Sequence, residues 1–382
     1  MPSPWSSDGP TRARFLNPSA SSMRPARLEV DLGAVRHNVA AIRGRLARTT
    51  QVMAVVKANA YGHGIVPVAR AALEAGASWL GVARVEEART LRGAGITAPV
   101  LVFGPATSEE MAELAAQQVS FSVFSRRMLE AAREAASQAT YGIAVHLEVD
   151  TGMGRVGFPP EEAPVIAELI ATTPGLHLEG VFTHFATADE DPAFARMQLH
   201  RFKAVLGTLE AAGYRVPFRH AAASAATFVM PDAHFDLVRV GIALYGLSPG
   251  VPAPALRRAL RLVAEVIQVK RVPEGTPIGY GSAYRTRRTT TIATVPVGYA
   301  DGIPRAFSRQ GVAFVRGARV QYAGWVCMDA LMLDVGDLPV EEGDEVELLG
   351  PNVPAEEVAR AVGTIPYEVV SRLASRLPRV YL

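Results

Sequence analysis

Between residues 51 and 246, short β-branched and aromatic runs alternate with Ala-rich segments of helical period, a pattern that confines this part of the chain to parallel βα architecture. The runs are VMAVVK (52–57), WLGVA (79–83), VLVFG (100–104), VSFSVF (119–124), IAVHLEV (143–149), HLEGVFT (177–183), VPFRH (216–220) and DLVRVG (236–241), eight in all. Eight strands with seven intervening helices in roughly 200 residues fit a (β/α)8 TIM-type barrel better than an open doubly wound sheet. Such a barrel concentrates chemistry where its strands end. The polar residues at those ends are Lys57, Asp150 with Arg155, His184, His220 with Ser224, and Arg239, and they are expected to face one mouth.

Beyond ALYGLSPG (243–250) the texture changes. Alternating runs such as LRLVAEVIQVK (260–270), TTTIATVPVGYA (289–300), GVAFVRGARVQYAG (311–324), ALMLDVG (330–336) and DEVELLG (344–350) are separated by turn residues without helical crossovers. The 382 residues therefore divide into an expected barrel at 27–250 and an expected, mostly antiparallel β domain with a short helical end at 256–382. Residues 1–26, rich in Ser, Pro and Arg, read as a mobile tail without the apolar segment of a secretory signal, and Met23 is a candidate native start.

The net charge is +2, with basic and acidic residues interspersed, so the chain lacks the electrostatic footprint of a nucleic-acid binder. No run approaches the ~20 apolar residues of a membrane helix. A small-molecule partner is expected instead. The single cysteine, Cys327, rules out an internal disulfide and a cysteine-built metal site. It fits a reducing compartment, so a cytoplasmic location is expected, and no metal is.

The stretch HLEVDTGMGRVGFPPEE (146–162) raises a competing possibility, since Gly152, Gly154 and Gly157 have the spacing G-x-G-x-x-G and Glu179 follows at about the distance of a ribose-binding acid. A dinucleotide cradle requires the loop to open directly into a helix. Phe158, Pro159 and Pro160 intervene here, which argues for a barrel loop instead.

AVVKANAYGHG (54–64) is the most informative stretch. A lysine ending an apolar run often simply emerges into solvent, but partial desolvation would also lower its pKa and favour the free, nucleophilic amine. The undecapeptide resembles the cofactor-lysine motif of the alanine racemases. The resemblance extends through VDTGMGR (149–155), THFATAD (183–189), SAAT (224–227), VRVGIALYG (238–246), YGSAY (280–284), GYADG (298–302), CMD (327–329) and YEV (367–369), in order and over nearly the whole chain after residue 27.

The resemblance implies a barrel followed by a β domain, pyridoxal 5′-phosphate (PLP) carried on Lys57, and interconversion of L- and D-alanine by two bases, supplying D-alanine for peptidoglycan. Lys57 corresponds to the base on one face of the substrate and Tyr280 to the base on the other. Tyrosine has an ordinary pKa of about 10, so such a role needs a neighbouring positive charge or donor. His184 and Arg239 match the residues that lead from that tyrosine to the pyridine nitrogen. Ser224, Gly241, Ile242, Tyr61 and Tyr367 match the phosphate site. Arg155 and the backbone N–H of Met328 match the substrate carboxylate site, and Glu148, His220, Tyr299 and Asp329 take supporting positions. In the family the tyrosine base and the methionine come from the partner subunit, which implies a head-to-tail homodimer with shared active sites. Cys327 reads as a packed thiol, His63 as a second-tier candidate, and His200 and His234 as surface or structural residues.

Three positions depart from the family's pattern. Glu148 stands where many members have a lysine that becomes carbamylated, and is expected to supply that negative charge to Arg155 directly. Trp325 replaces an arginine on the approach to the site, leaving Arg305, and Ala223 replaces a polar residue near the phosphate. The competing assignments are a racemase of broader specificity, an aldolase or decarboxylase of D-amino acids on a related barrel, and a lone-barrel PLP carrier. Tyr280 and the β domain argue against the carrier.

Overall fold

The computed structural model describes residues 25–382. The tail assigned to residues 1–26, and with it Met23, lies outside the described residues except for Pro25 and Ala26.

After a first strand, β1 (Ala26–Val30), the chain forms β2 (Gln51–Val55), β3 (Trp79–Val82), β4 (Val100–Val102), β5 (Val119–Val123), β6 (Ile143–Glu148), β7 (Leu176–Phe182), β8 (Phe218–His220) and β9 (Leu237–Val240). Strands β2 to β9 coincide with the eight runs in the sequence. From β2 to β8 each strand pairs in parallel with the next in the chain, and β9 returns to pair with β2. The last seam, between β8 and β9, is held by the Asp236 N–H donating to Arg219 O at 3.1 Å, the Arg239 N–H donating to Ala222 O at 2.9 Å, and an Arg219–Asp236 ion pair at 2.7 Å. The barrel is thus nearly closed.

Burial explains why these strands read as continuous apolar runs. Every residue of β3, β4 and β5 is buried, because one face packs inside the barrel and the other against the helices. The helices turn their small apolar faces inward. In Arg126–Gln138, Met128, Leu129, Ala132, Ala135 and Ala136 are buried, and the Ser125 side chain caps the first turn by accepting from the Met128 N–H.

The remaining strands are β10 (Leu260–Glu265), β11 (Gln268–Val272), β12 (Pro277–Ile278), β13 (Tyr284–Arg285), β14 (Thr290–Val295), β15 (Val312–Val315), β16 (Ala318–Tyr322), β17 (Leu331–Gly336), β18 (Glu345–Leu349) and β19 (Arg379–Tyr381). Apart from the small β12–β13 pair, they form a nine-stranded sheet in the order β11-β14-β17-β16-β15-β18-β10-β1-β19. All its pairings are antiparallel except β1 with β19. The β15–β16 hairpin turns through Arg316 and Gly317, both at positive φ, as a two-residue hairpin loop with the sheet's twist requires. Two short helices, Ala355–Val362 and Pro366–Ser371, precede the final strand.

Strand β1 belongs to this second sheet, whereas the sequence had put residues 27–250 in the barrel. Its burial alternates, with Leu28 and Val30 inside, and it pairs with β10 and β19. The barrel is therefore an excursion between two neighbouring strands of the second sheet, tied to it at both ends.

Candidate active site

Lys57 follows β2 at the C-terminal mouth of the barrel. The next four residues, Ala58, Asn59, Ala60 and Tyr61, all have φ of 53°. A left-handed turn of non-glycine residues costs roughly 1–2 kcal/mol per residue, so neighbouring contacts must hold it. Glu87 does so from the first turn of the helix Val85–Gly93 that follows β3. Its Oε1 accepts from the Ala58 N–H at 2.6 Å, and its Oε2 from the Ala83 N–H at 2.9 Å. Asn59 closes the other side by accepting from the Ile65 N–H at 2.9 Å. Burial, reinforced by the positive charge of Arg155 and, less, of Arg239, lowers the pKa of the Lys57 amine, with Glu87 acting in the opposite sense.

Arg239, on β9, is only 4% exposed. Its Nη1 donates to His220 Nδ1 at 2.9 Å, and its Nη2 faces Thr183 O at 2.8 Å, Ala221 O at 3.1 Å and His184 Nδ1 at 3.1 Å. A guanidinium only donates, so both histidines accept at Nδ1 and, when neutral, carry the ring proton on Nε2. Burial, with Arg239 alongside, holds His184 down at about 3 and His220 well below its ordinary value, so both are neutral at physiological pH. Burial also lowers Arg239, to about 10, which leaves it a cation. Among the described residues no partner engages Arg239 Nε, so its N–H is available to an acceptor in the cavity that Arg239 lines.

The loops after β8 and β9 form a cradle of the kind that binds anions in barrels. Ser224 opens the helix Ser224–Val229 and accepts from the Gly241 N–H at 3.1 Å and the Ala243 N–H at 3.4 Å, which leaves its hydroxyl proton free to donate. Gly241 permits close approach, since a Cβ there would stand 2.5 Å from Tyr61 Oη. Tyr61 packs between Tyr245 and Tyr367, at ring separations of 4.8 and 6.1 Å. Burial raises the pKa of both Tyr61 and Tyr367, the latter to about 12, so both hydroxyls stay protonated and able to donate.

The glycine loop after β6 wraps around Asp150. Its carboxylate accepts from the Gly152 N–H at 2.9 Å and the Gly154 N–H at 3.0 Å, while Gly152, Gly154 and Gly157 all have positive φ. Donors that would cradle a pyrophosphate are thus taken by the loop's own aspartate. The next helix begins only at Ala163. Arg155 and Glu148 face the same cavity, but no ion pair within 4.0 Å joins them among the described residues. The expectation that Glu148 holds Arg155 directly is not met in the single chain, where Arg155 sits on an exposed loop and Glu148 on a buried strand. Burial raises Glu148 to about 7, against the pull of Arg239 and Arg155.

Lys57, Tyr61, Glu148, Arg155, His184, Ser224, Arg239, Gly241, Ile242 and Tyr367 thus converge on one cavity of about 530 Å³. His220 stands behind Arg239. Four other candidates lie on the second unit. Tyr280 is 72% exposed and lines a separate cleft with Cys327 and Met332, and Met328 and Tyr299 are exposed. The Tyr299 N–H donates to Cys327 O at 2.9 Å, and Asp329 accepts from Arg376 at 2.7 Å, so both brace the loop that carries Met328. Trp325 lies under the guanidinium carbons of Arg305, at 4.5 Å, and Arg309, at 5.3 Å. It therefore gathers two cations where its sequence position had suggested the loss of one.

His63 is buried, bonds Tyr61 O through Nδ1 at 3.0 Å and is held down at about 4 by burial. His234 Nε2 bonds Thr227 O at 2.8 Å, and His200 is exposed. Sequence reasoning missed Glu87 and Thr183. Glu87 reads as an ordinary acidic residue in a helix's first turn, and Thr183 acts through its carbonyl, which carries no side-chain signal. Among the described residues no cluster of His, Cys, Asp and Glu could hold a metal ion, and no helix is long and apolar enough to cross a membrane.

Comparison with known proteins places this geometry in context. Residues 30–249 match the family model "Alanine racemase, N-terminal domain" and residues 259–381 match "Alanine racemase, C-terminal domain". The chain is 44% identical over 365 residues to an alanine racemase of Desulfovibrio desulfuricans, covering 94% of this chain and 98% of that protein. The fold superimposes on the crystal structure of alanine racemase from Streptomyces lavendulae with a TM-score of 0.90 at 42% identity, covering 95% and 98% of the two chains. It matches that of Bacillus anthracis with bound L-Ala-P with a TM-score of 0.89 at 39% identity, covering 95% and 96%.

Proposed function

Because the chain belongs to the alanine racemase family, we propose that it interconverts L- and D-alanine with PLP seated at the C-terminal mouth of the barrel, as a homodimer whose active sites are shared. The observation that carries this reading is the convergence of Lys57, Ser224, Arg239 and Gly241 on one cavity from the ends of three strands, β2, β8 and β9. The residues present fit the cofactor. The hydroxyls of Ser224, Tyr61 and Tyr367 and the backbone at Gly241 and Ile242 would hold its phosphate. The unpartnered Nε–H of Arg239 would meet its pyridine nitrogen, and Lys57 would carry it covalently. When bound, PLP delocalises the electron pair left when the substrate loses its Cα proton.

The protein's own groups move that proton. Lys57, with its lowered pKa, is suited to take or return a proton on one face. The partner subunit's Tyr280 serves the other face. His184 accepts from Arg239 at Nδ1 and so offers Nε2–H as a donor, which would favour the phenolate of that tyrosine. Arg239 donates without giving up a proton, which keeps the cofactor a restrained electron sink. Arg155 and the N–H of the partner subunit's Met328 would fix the substrate carboxylate. The exposure of Tyr280 and Met328 supports a partner covering them. The product serves peptidoglycan, and the lone Cys327 fits the cytoplasm.

The test incubates the holoenzyme with single L-amino acids in deuterated water. L-Alanine is expected to give D-alanine with deuterium at Cα, and loss of both signals is expected in Lys57→Ala. Faster turnover of larger amino acids would favour the broader-specificity alternative, for which the Trp325–Arg305–Arg309 cluster is the relevant feature. Absence of Cα exchange with every amino acid would overturn the racemase reading.

A further inference from the structure

Five consecutive barrel strands each contribute one polar group to a hydrogen-bonded line through the barrel interior: Ser120 from β5, His146 from β6, Glu179 from β7, His220 from β8 and Arg239 from β9. His220 Nε2 meets His146 Nδ1 at 2.8 Å, and His146 Nε2 meets Glu179 Oε2 at 3.1 Å. Ser120 also donates to Glu179. Both histidines are fully buried, whereas the Glu179 side chain is 27% exposed.

The direction of this line follows from its ends. Arg239 can only donate, so His220 accepts at Nδ1 and carries its proton on Nε2. That proton points at His146 Nδ1, which must accept, so His146 in turn carries its proton on Nε2 and gives it to Glu179. An ionised carboxylate only accepts, which closes the sequence without a clash. Reversing either ring would set two N–H groups against each other at one end.

The local fold is built around this line. The register between β6 and β7 slips at Val145/His146, so that Val145 pairs with Leu178 and His146 with Gly180, leaving Glu179 as the extra, bulged residue. A bulge of this kind re-aims a side chain. Gly180 then leaves room for the imidazole, since a Cβ there would stand 2.3 Å from His146 Nδ1. Aromatic rings sheathe the line. Trp79 meets His146 edge-on at 5.5 Å, and Phe182 stacks on His220 at 4.7 Å. In so dry a setting an unmatched donor is costly, and each bond polarises the next.

We propose that Glu179 and His146 are positioning residues: from the far half of the barrel they lock His220 in its Nε2–H form, so that its bare Nδ1 holds Arg239 with the Nε–H turned to the cavity. The effect on turnover rests on the racemase reading. The tautomer assignment does not.

The experiment is 15N NMR of the histidine-labelled holoenzyme, combined with steady-state kinetics in both directions. The wild type is expected to show Nδ1 bare and the ring proton on Nε2 at both His146 and His220. Glu179→Leu removes the acceptor and is expected to give mixed tautomers at His220 and about a tenfold lower kcat, as loss of an outer-shell partner typically does, with KM little changed. Glu179→Gln keeps an acceptor for His146 and is expected to retain the wild-type tautomers and most of kcat. Gly180→Ala, which only presses a methyl against the His146 ring, is expected to resemble Glu179→Leu. Finding an Nδ1–H form or an imidazolium at His220 in the wild type would overturn the assignment. Unchanged kcat in a folded Glu179→Leu enzyme would overturn the positioning role. A protein without racemase activity would still report the tautomers, so failure of the functional reading and failure of this proposal are distinguishable.

Discussion

Glu148 lies 5% exposed near two guanidinium groups, and its carboxyl is nonetheless held up at about 7. Desolvation outweighs the attraction of Arg239 and Arg155, because neither comes close enough to form an ion pair. The folded state therefore binds a proton more tightly than the unfolded chain does at this site. The stability that this contributes is complete below the ordinary carboxyl pKa of 4.5 and is lost as pH rises through about 7. Glu148→Gln, neutral at every pH, is expected to be more stable than the wild type above pH 7, by roughly 3 kcal/mol at most. That advantage should vanish below pH 4.5, the ordinary carboxyl pKa. Urea unfolding of both proteins across this range measures the difference. An equal gap at both ends would contradict the assignment. The sequence made the residue conspicuous, but its protonation depends on the distance to Arg155, which a sequence pattern does not contain.

At the level of elements, the left-handed turn at 58–61 is the most strained feature of the barrel mouth, and Glu87 is its main clamp. Hydrogen bonds to a charged group contribute about 1.5–3 kcal/mol each, the same order as the strain they oppose. Glu87→Ala is expected to lower thermal stability and release PLP more readily on dialysis, with Lys57 still present, and a scanning melt together with cofactor absorbance checks both. Retention of wild-type melting and cofactor would show that the turn holds itself. None of this is legible in KANAY, which contains no glycine and reads as an ordinary helical start. The eight barrel strands were legible, most plainly β3, β4 and β5, which burial on both faces makes apolar runs. β1 was not, since ARLEV carries no mark of which sheet it joins, and the bulge at Glu179 is equally silent, a matter of register.

At the scale of the whole molecule, one chain gathers most of the candidate residues into one cavity and leaves Tyr280 and Met328 exposed on the other unit. The sequence marked Tyr280 through its motif alone; no composition or period says whose active site a residue serves. The proposed shared site takes its two bases from two copies of the chain. The direct test mixes Lys57→Ala and Tyr280→Phe subunits, each made separately, after dissociation and reassociation, and measures alanine racemisation. Each variant alone is expected to be inactive or nearly so. A mixed dimer would contain one site with both bases intact and one with neither, so random mixing of equal amounts should restore about a quarter of wild-type activity. A mixture no more active than its parents, from subunits shown to exchange, or full activity in Tyr280→Phe alone, would contradict the shared site.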